Sequence, residues 1–152
     1  MKRWVCLVLG VVCGVVSHTP TWALIGSGDA LEISRQGVLV QKFRLNLIAT
    51  NVANAFTLMT DAGTPYRRKY AILESTEYGV RVASVRDSDI PFGKVFDPAN
   101  PFSNKYGILY LPNVNIAEEM VDVTYTNILY EANTTAFKAA KSMVQQTIDV
   151  LK

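Results

Sequence analysis

The sequence predicts a mainly α-helical protein: two long terminal helices forming an antiparallel coiled-coil stalk, with an irregular β-rich segment between them. Three observations carry that prediction. Ile116, Val123, Tyr130, Phe137, Val144 and Leu151 stand seven residues apart, and no proline or glycine follows Pro112. Leu24, Leu31, Val38, Leu45 and Val52 repeat the spacing towards the other end. Between the two rows the texture changes to short alternating runs broken by Pro65, Pro91, Pro98 and Pro101. A sustained seven-residue apolar repeat asks an α-helix to underwind and wrap around a partner. Because the rows lie near opposite ends, the chain must double back for them to meet.

The first stretch reads as a leader. Lys2 and Arg3 form a charged start, Trp4 to Val16 an apolar run, and Thr21-Trp22-Ala23 ends in a small residue. The run is shorter than the roughly 20 residues a bilayer crossing takes. Residues 1–23 are therefore expected to be a cleaved secretory-type signal peptide, the alternative being an uncleaved anchor. Cys13 follows Val11-Val12, which does not fit a lipoprotein processing site. Both cysteines, the one histidine, Lys2 and Arg3 all fall in this stretch, and the remainder carries as many acids as bases. That remainder has no disulfide framework, no zinc-like cluster and none of the basic bias of a nucleic-acid binder.

Residues 24–55 are expected to form the first helix of the stalk. Ile33, Val40 and Leu47 add a second apolar row. Gly37 inside it costs roughly 1 kcal/mol relative to alanine, and marks either a kink or the close approach of another helix. Asn51 and Asn54 lie on one face near the end. They either cap the helix or cross-link helices through their amides.

Residues 56–112 are expected to form a small β and loop insert at the tip of the stalk. Asp61 to Pro65 is a loop by its turn chemistry. Tyr70–Glu74 and Val80–Val85 read as a hairpin around Glu77-Tyr78-Gly79, and Ile108–Leu111 as a further short strand. Asp87 to Asn104 is expected to lack regular structure because its prolines interrupt it. Residues 113–152 then hold the long helix, whose apolar row from Ile116 to Leu151 spans about 50 Å at 1.5 Å per residue. Its Asn127, Asn133 and Thr134 side is expected to face neighbouring subunits.

Candidate chemistry is sparse. Arg67, Arg68 and Lys69, flanked by Tyr66 and Tyr70, could meet an acidic partner surface, a phosphate or nucleic acid. In a neutral chain, ion pairing within an assembly is the expected use. Glu118, Glu119 and Asp122 fall in the first turns of the long helix, where acids meet the helix dipole favourably; Asp87 and Asp89 read as turn residues. Serine nucleophiles need a base, and no histidine or cysteine remains after the leader. Ile25-Gly26-Ser27-Gly28 lacks the spacing of a phosphate loop. No catalytic, cofactor-binding or metal-ligating residue is assigned, and no small-molecule substrate is expected.

The motifs nevertheless form a recognisable series. Leu45-Asn46-Leu47-Ile48-Ala49-Thr50-Asn51-Val52-Ala53-Asn54-Ala55 resembles the N-terminal signature of bacterial flagellar rod and hook proteins. Gly63-Thr64-Pro65-Tyr66-Arg67-Arg68-Lys69 is similar to a segment of a proximal-rod member of that family. Val95-Phe96-Asp97-Pro98 with Pro101 resembles a later family motif, as does Leu111-Pro112-Asn113-Val114-Asn115 leading into Glu119-Met120-Val121-Asp122. Tyr130-Glu131-Ala132-Asn133 with Ala139-Ala140-Lys141 resembles its C-terminal signature.

The resemblance implies a structural subunit without an active site. Its terminal helices would form a coiled-coil inner domain, and many copies would pack helically into the hollow drive shaft of the basal body, in the periplasmic space. The implied partners are the chain itself, other rod proteins, the export apparatus and the basal-body base. The implied assembly contacts are Leu31, Val38, Leu45, Asn51 and Asn54 on the first helix. On the second they are Ile116, Val123, Tyr130, Asn133, Phe137, Val144 and Leu151, with Arg67, Arg68 and Lys69 as a further partner contact. The leader departs from the family, whose members leave through the flagellar type III channel without a cleaved signal. Arg35-Gln36 before Gly37 and the bulky Phe56 and Met59 depart from it as well. The alternative is a diverged periplasmic adaptor or binding protein that kept the fold outside a motility rod.

Overall fold

The computed structural model describes the backbone of residues 22–151 and the side chains of residues 29–151. Apart from its last two residues, the expected leader lies outside the described residues. The elements run α1 (Trp22–Ala53), β1 (Lys69–Thr76), β2 (Gly79–Asp87), β3 (Gly93–Phe96), β4 (Ile108–Leu111) and α2 (Ile116–Val150). The described residues are thus mainly helical, with two small antiparallel sheets. No helix among the described residues is long and apolar enough to cross a membrane.

The limits of the helices follow from local chemistry. After Pro112, Asn115 takes an extended conformation and its side-chain oxygen accepts from the Ala117 amide at 3.1 Å, which starts α2. At the end of α1, the Asn54 side chain donates to the Thr50 carbonyl at 2.9 Å. Asn54 therefore serves the end of its own helix, while Asn51, three residues earlier, reaches across to α2.

The two helices pack side by side. On α2 the inward residues are Glu119, Val123, Thr126, Tyr130, Asn133, Phe137, Ala140 and Val144, spaced alternately by four and three. The apolar row of sevens is one half of this seam and is half-buried. The other half is Glu119, Thr126, Asn133 and Ala140, and three of these four are the most deeply buried side chains of the helix. On α1 the buried residues are Val40, Gln41, Ile48, Asn51 and, just past the helix, Ala55. The row Leu31, Val38, Leu45 and Val52 flanks them half-buried, and Leu151 beyond α2 is exposed.

The contact register is visible at two points. Asn51, near the end of α1, meets Glu119, near the start of α2. Gly37 lies two heptads earlier and meets Asn133, two heptads later: a Cβ at Gly37 would stand 2.7 Å from Asn133 Oδ1 and 2.8 Å from its Cγ. Of the two expectations for Gly37, close approach is the one realised, and the neighbour is a side-chain amide rather than a helix backbone. The expected outward placement of Asn133 and Thr134 is corrected by this packing. Asn133 sits in the seam, the Thr134 hydroxyl is buried, and only Asn127 of the three is exposed. The seven-residue repeat placed Asn133 three positions after Tyr130, which is an inward position whatever its polarity.

The hairpin differs from expectation in position. β1 and β2 pair from Lys69↔Asp87 to Thr76↔Gly79, with a bulge between Ile72 and Leu73. Instead of extending the tip, the hairpin folds back along α1. A Cβ on Gly79 would lie 3.4 Å from the Ile33 Cα, and Gly79 has φ +124°, a conformation that glycine adopts without strain. The Thr76 hydroxyl donates to the Gly79 carbonyl at 3.2 Å and is 3.4 Å from Gln36 Oε1. The arginine-glutamine pair before Gly37 is thereby explained in part: Gln36 contacts the hairpin turn.

The expectation of no regular structure between Asp87 and Asn104 is also corrected. Gly93–Phe96 forms β3 and pairs with β4, from Gly93↔Leu111 to Phe96↔Ile108. The prolines fall outside the four paired residues, so none removes a ladder hydrogen bond. The connecting loop is held by Asn104, whose side-chain oxygen accepts from the amides of Tyr106 and Ile108 at 2.9 and 3.0 Å.

Gly37 and Asn133 yield a sign-changing prediction. Gly37→Ala should destabilise the protein by up to about 2 kcal/mol, because overpacking of about 1–3 kcal/mol works against the roughly 1 kcal/mol of helix propensity gained. In an Asn133→Ala background the same substitution should stabilise. A urea-melt double-mutant cycle reads this coupling, and additivity would show that the two residues do not touch.

Candidate functional site

A polar junction joins the end of α1, the segment entering β1 and the first turns of α2. It begins with Asn51, which is 1% exposed although it lies on a helix face that is otherwise largely apolar. Its Nδ2 donates to the Lys69 carbonyl at 2.9 Å and to Glu119 Oε2 at 3.3 Å. Its Oδ1 accepts from the Tyr66 hydroxyl and the Lys69 amide, both at 3.0 Å. Both amide protons and both lone pairs are therefore used.

Glu119 is fully buried, at 0% exposure. Its Oε1 accepts from Arg68 Nε in a close ion pair, while Arg68 Nη2 donates to Asp122 Oδ2 at 2.9 Å. The Arg68 amide donates to Asn113 Oδ1 at 2.7 Å, and Asn113 Nδ2 donates to the Ile90 carbonyl at 2.8 Å. One arginine thus ties α2, the residues before β1 and the residues after β2 together. Burial works against the charge on Arg68, but the hydrogen bond and charge of Glu119, with Asp122, outweigh it and hold the guanidinium more firmly protonated than usual. Tyr66 loses acidity for a different reason. Burial first, then the negative charges of Asp87 and Glu119, raise its pKa above 10.0, so it remains a hydroxyl donor to Asn51.

The other two cations of the cluster are used differently. Arg67 donates to the Ser88 carbonyl at 2.9 Å, with its guanidinium 4.4 Å from the centre of the Phe92 ring. Lys69 reaches Asp87 at 3.4 Å across the hairpin in an exposed pair, worth at most about 1 kcal/mol. Asn51 and Arg68 are brought together at the junction. Asn54 and the helix rows are not part of it.

Sequence reasoning missed Glu119, Asp122, Tyr66 and Asn113 as members. Glu118 and Glu119 do fall in the first turn of α2, as the dipole argument required, but Glu119 is committed to Arg68. A signal was available, because Glu119 lies three residues after Ile116 and so at an inward seam position, where an acid needs a buried cation.

This geometry is suited to holding elements in register. Surface depressions among the described residues include one lined by Leu58, Met59, Gly63, Pro65, Phe102 and Tyr110, and another by Ala117, Glu118, Val121 and Asp122. Among the described residues no three His, Cys, Asp or Glu side chains converge as metal ligands.

Comparison with known proteins bears directly on this architecture. The family described as "Flagellar basal body rod FlgEFG protein C-terminal" matches residues 106–150, which contain β4 and α2. The flagellar basal-body rod protein FlgC of Borreliella burgdorferi is 32% identical, over 84% of this chain and 99% of that protein. The chain belongs to the FlgC family of flagellar basal-body rod proteins. FlgC of Aquifex aeolicus is 34% identical over 82% of the chain and 96% of its own length, and FlgC of Bacillus subtilis 30% over 81% and 97%. The chain is accordingly a structural rod subunit of the bacterial flagellum, and its relatives are rod components rather than enzymes. The alternative of a diverged adaptor is not favoured by relatives aligned over nearly their whole length. For a FlgC-family subunit, the junction that cross-links helix ends is the part on which its shape depends.

Two outcomes are expected at the junction. Arg68→Ala should destabilise by about 3–5 kcal/mol, since it strands a buried carboxylate, and adding Glu119→Gln should recover part of the loss; chemical denaturation measures both. For Tyr66 the raised folded pKa means that the native state holds the phenolic proton more tightly than the unfolded chain. Its contribution is complete below the unfolded value of about 10 and is lost as the pH rises through the folded value. Urea midpoints should therefore fall more steeply above about pH 10 in the parent than in Tyr66→Phe, and parallel profiles would contradict the assignment.

Proposed function

We propose that this chain is a proximal-rod subunit whose terminal helices pair as an antiparallel coiled coil, and that copies of that pair pack helically into the hollow drive shaft. The single observation that carries the proposal is the amount of apolar helix surface left uncovered in one chain. Leu39 on α1 and Met120, Val121, Tyr125, Ile128 and Met143 on α2 are each about half exposed or more. Monomeric proteins rarely leave contiguous apolar surface of this kind. The register of Asn51 against Glu119 and Gly37 against Asn133 supports the antiparallel arrangement. The seam and stripe residues named from the sequence are the proposed assembly contacts, within the chain or between chains.

The proposed partners are further copies of the chain and other rod proteins, with the export apparatus and the basal-body base at the inner end. The proposed place is the basal body where it crosses the periplasmic space. Two routes lead there, a secretory route using residues 1–23 as a cleaved signal and the flagellum's own type III export. The unchanged physical role is stiffness: a subunit tied at its junction transmits torque as one piece.

Deletion of the gene should abolish the rod and motility, and the intact gene should restore both. A gene carrying Phe137→Asp should fail to restore them, because a charge would be desolvated in the helix seam. A rod unchanged by the deletion would overturn the proposal.

A further inference from the structure

The ion pairing that closes the junction leaves one cation of the helix seam unmatched. Arg44 lies seven residues after Gly37 and seven before Asn51, and Thr126 lies seven residues after Glu119 and seven before Asn133. Asn51 meets Glu119 and Gly37 meets Asn133, so the layer midway between those two contacts sets Arg44 against Thr126. Arg44 is half-buried there, on an inward row whose other members are a glycine and an asparagine.

No carboxylate answers its charge. Arg44 is in none of the ion pairs among the described residues. Its side-chain hydrogen bond is a long one, from Nη1 to Gln41 Oε1 at 3.4 Å. The acids that α2 brings nearest are already engaged, since Glu119 and Asp122 both hold Arg68. Glu131, further along α2, is exposed, and on α1 itself Glu32 is bound to Arg35. Two more polar groups of the region are unsatisfied. Gln41 is 9% exposed, and its Nε2 donates to no group among the described residues. Thr126 has 0% exposure, and its hydroxyl has no partner. A guanidinium carries five N–H donors and a carboxamide nitrogen two, so most of the donor capacity here is unused.

We infer that Arg44 and the Gln41 side-chain amide form a binding site for a small free oxyanion of the phosphate class, with the Thr126 hydroxyl in the layer beneath. The guanidinium presents a flat fork that matches two oxygens of such an ion, and the Gln41 amide adds a neutral donor beside it. A carboxylate of another chain is the rival occupant. The recess disfavours it, because a partner backbone would have to come down between helices already in contact at Gly37 and Asn133. A free ion needs only the access that water has to the Gln41 amide. The ion supplies to the middle of the seam what Glu119 supplies near its end, the counter-charge of an arginine. Binding therefore favours the paired helices over the unfolded chain. The inference stands independently of the rod reading.

Calorimetric titration of the full chain with inorganic phosphate, at an ionic strength held constant with chloride, tests this. The parent should bind one phosphate saturably with a dissociation constant of about 1–10 mM, the range for two charge-assisted hydrogen bonds. At ten times that constant, the unfolding equilibrium in urea should move about elevenfold towards the native state. Arg44→Gln should lose the saturable binding and cut that shift to less than about twofold. Gln41→Leu, which keeps the guanidinium and much of the side-chain bulk, should weaken binding about tenfold. Lys42→Gln, at an exposed cation two residues away, should bind as the parent does. Circular dichroism checks that each variant keeps the parent helix content, and if Arg44→Gln does not fold, Gln41→Leu decides. A parent without saturable binding, an equal loss in Lys42→Gln, or Gln41→Leu binding as tightly as the parent would overturn the inference. So would a parent that binds no phosphate but self-associates more strongly than Arg44→Gln, since the arginine would then belong to a carboxylate of another chain.

Discussion

A carboxylate with no exposure to water must be given a cation or a proton, and Glu119 is given Arg68. Most of the arrangement depends on that pair. Breaking a buried ion pair by removing one partner is far more damaging than never having had it, because the surviving charge keeps its desolvation cost. Asn51 completes the site by holding the second carboxylate oxygen and both backbone groups of Lys69. The segment that leaves α1 is thereby pinned to the start of α2. The hairpin must then begin where it does, beside the end of α1, and its length carries its turn back to Ile33. Specificity of register is the best-attested use of a buried polar contact, and here a single network sets the register of two helices and a sheet.

The rest of the helix seam is less strongly specified. Gln41 and Thr126 are buried within it, and the hydroxyls of Thr126 and Thr134 have no hydrogen-bond partner among the described residues. An unpaired buried hydroxyl costs about 1–3 kcal/mol, so this row contributes shape more than stability. Gly37 and Asn133 add a second register mark, made by steric fit where the first is made by charge. A chain built in this way has a well-defined geometry and a thin core. Much of its apolar surface remains outward.

Much of the architecture was legible because periodicity is local. The seven-residue rows, the breakers between them and the hairpin around Tyr78 all depend on near neighbours in sequence. The weaker readings concerned residues whose polarity disguised their position. Glu119, Thr126 and Asn133 occupy the same inward row as Ala140, yet a scan for apolar repeats passes over them. Strand β3 was hidden in a similar way. Four residues between prolines carry too little pattern to mark a strand until β4, a dozen residues later, supplies the ladder.

The amino-acid sequence by itself determined two long helices, a turn-rich β insert between them and, through five ordered motifs, the rod and hook family. These properties follow from spacing, capping and steric exclusion, each of which acts over a few residues. The tertiary structure alone decided which residues of the two helices meet, that the hairpin lies along α1, and that Arg68 belongs to Glu119 rather than to another molecule. Those choices depend on partners between 40 and 96 positions apart, such as Thr76 with Gln36, Arg68 with Glu119 and Asn133 with Gly37. Burial creates the demand for a partner, and only the folded chain supplies it.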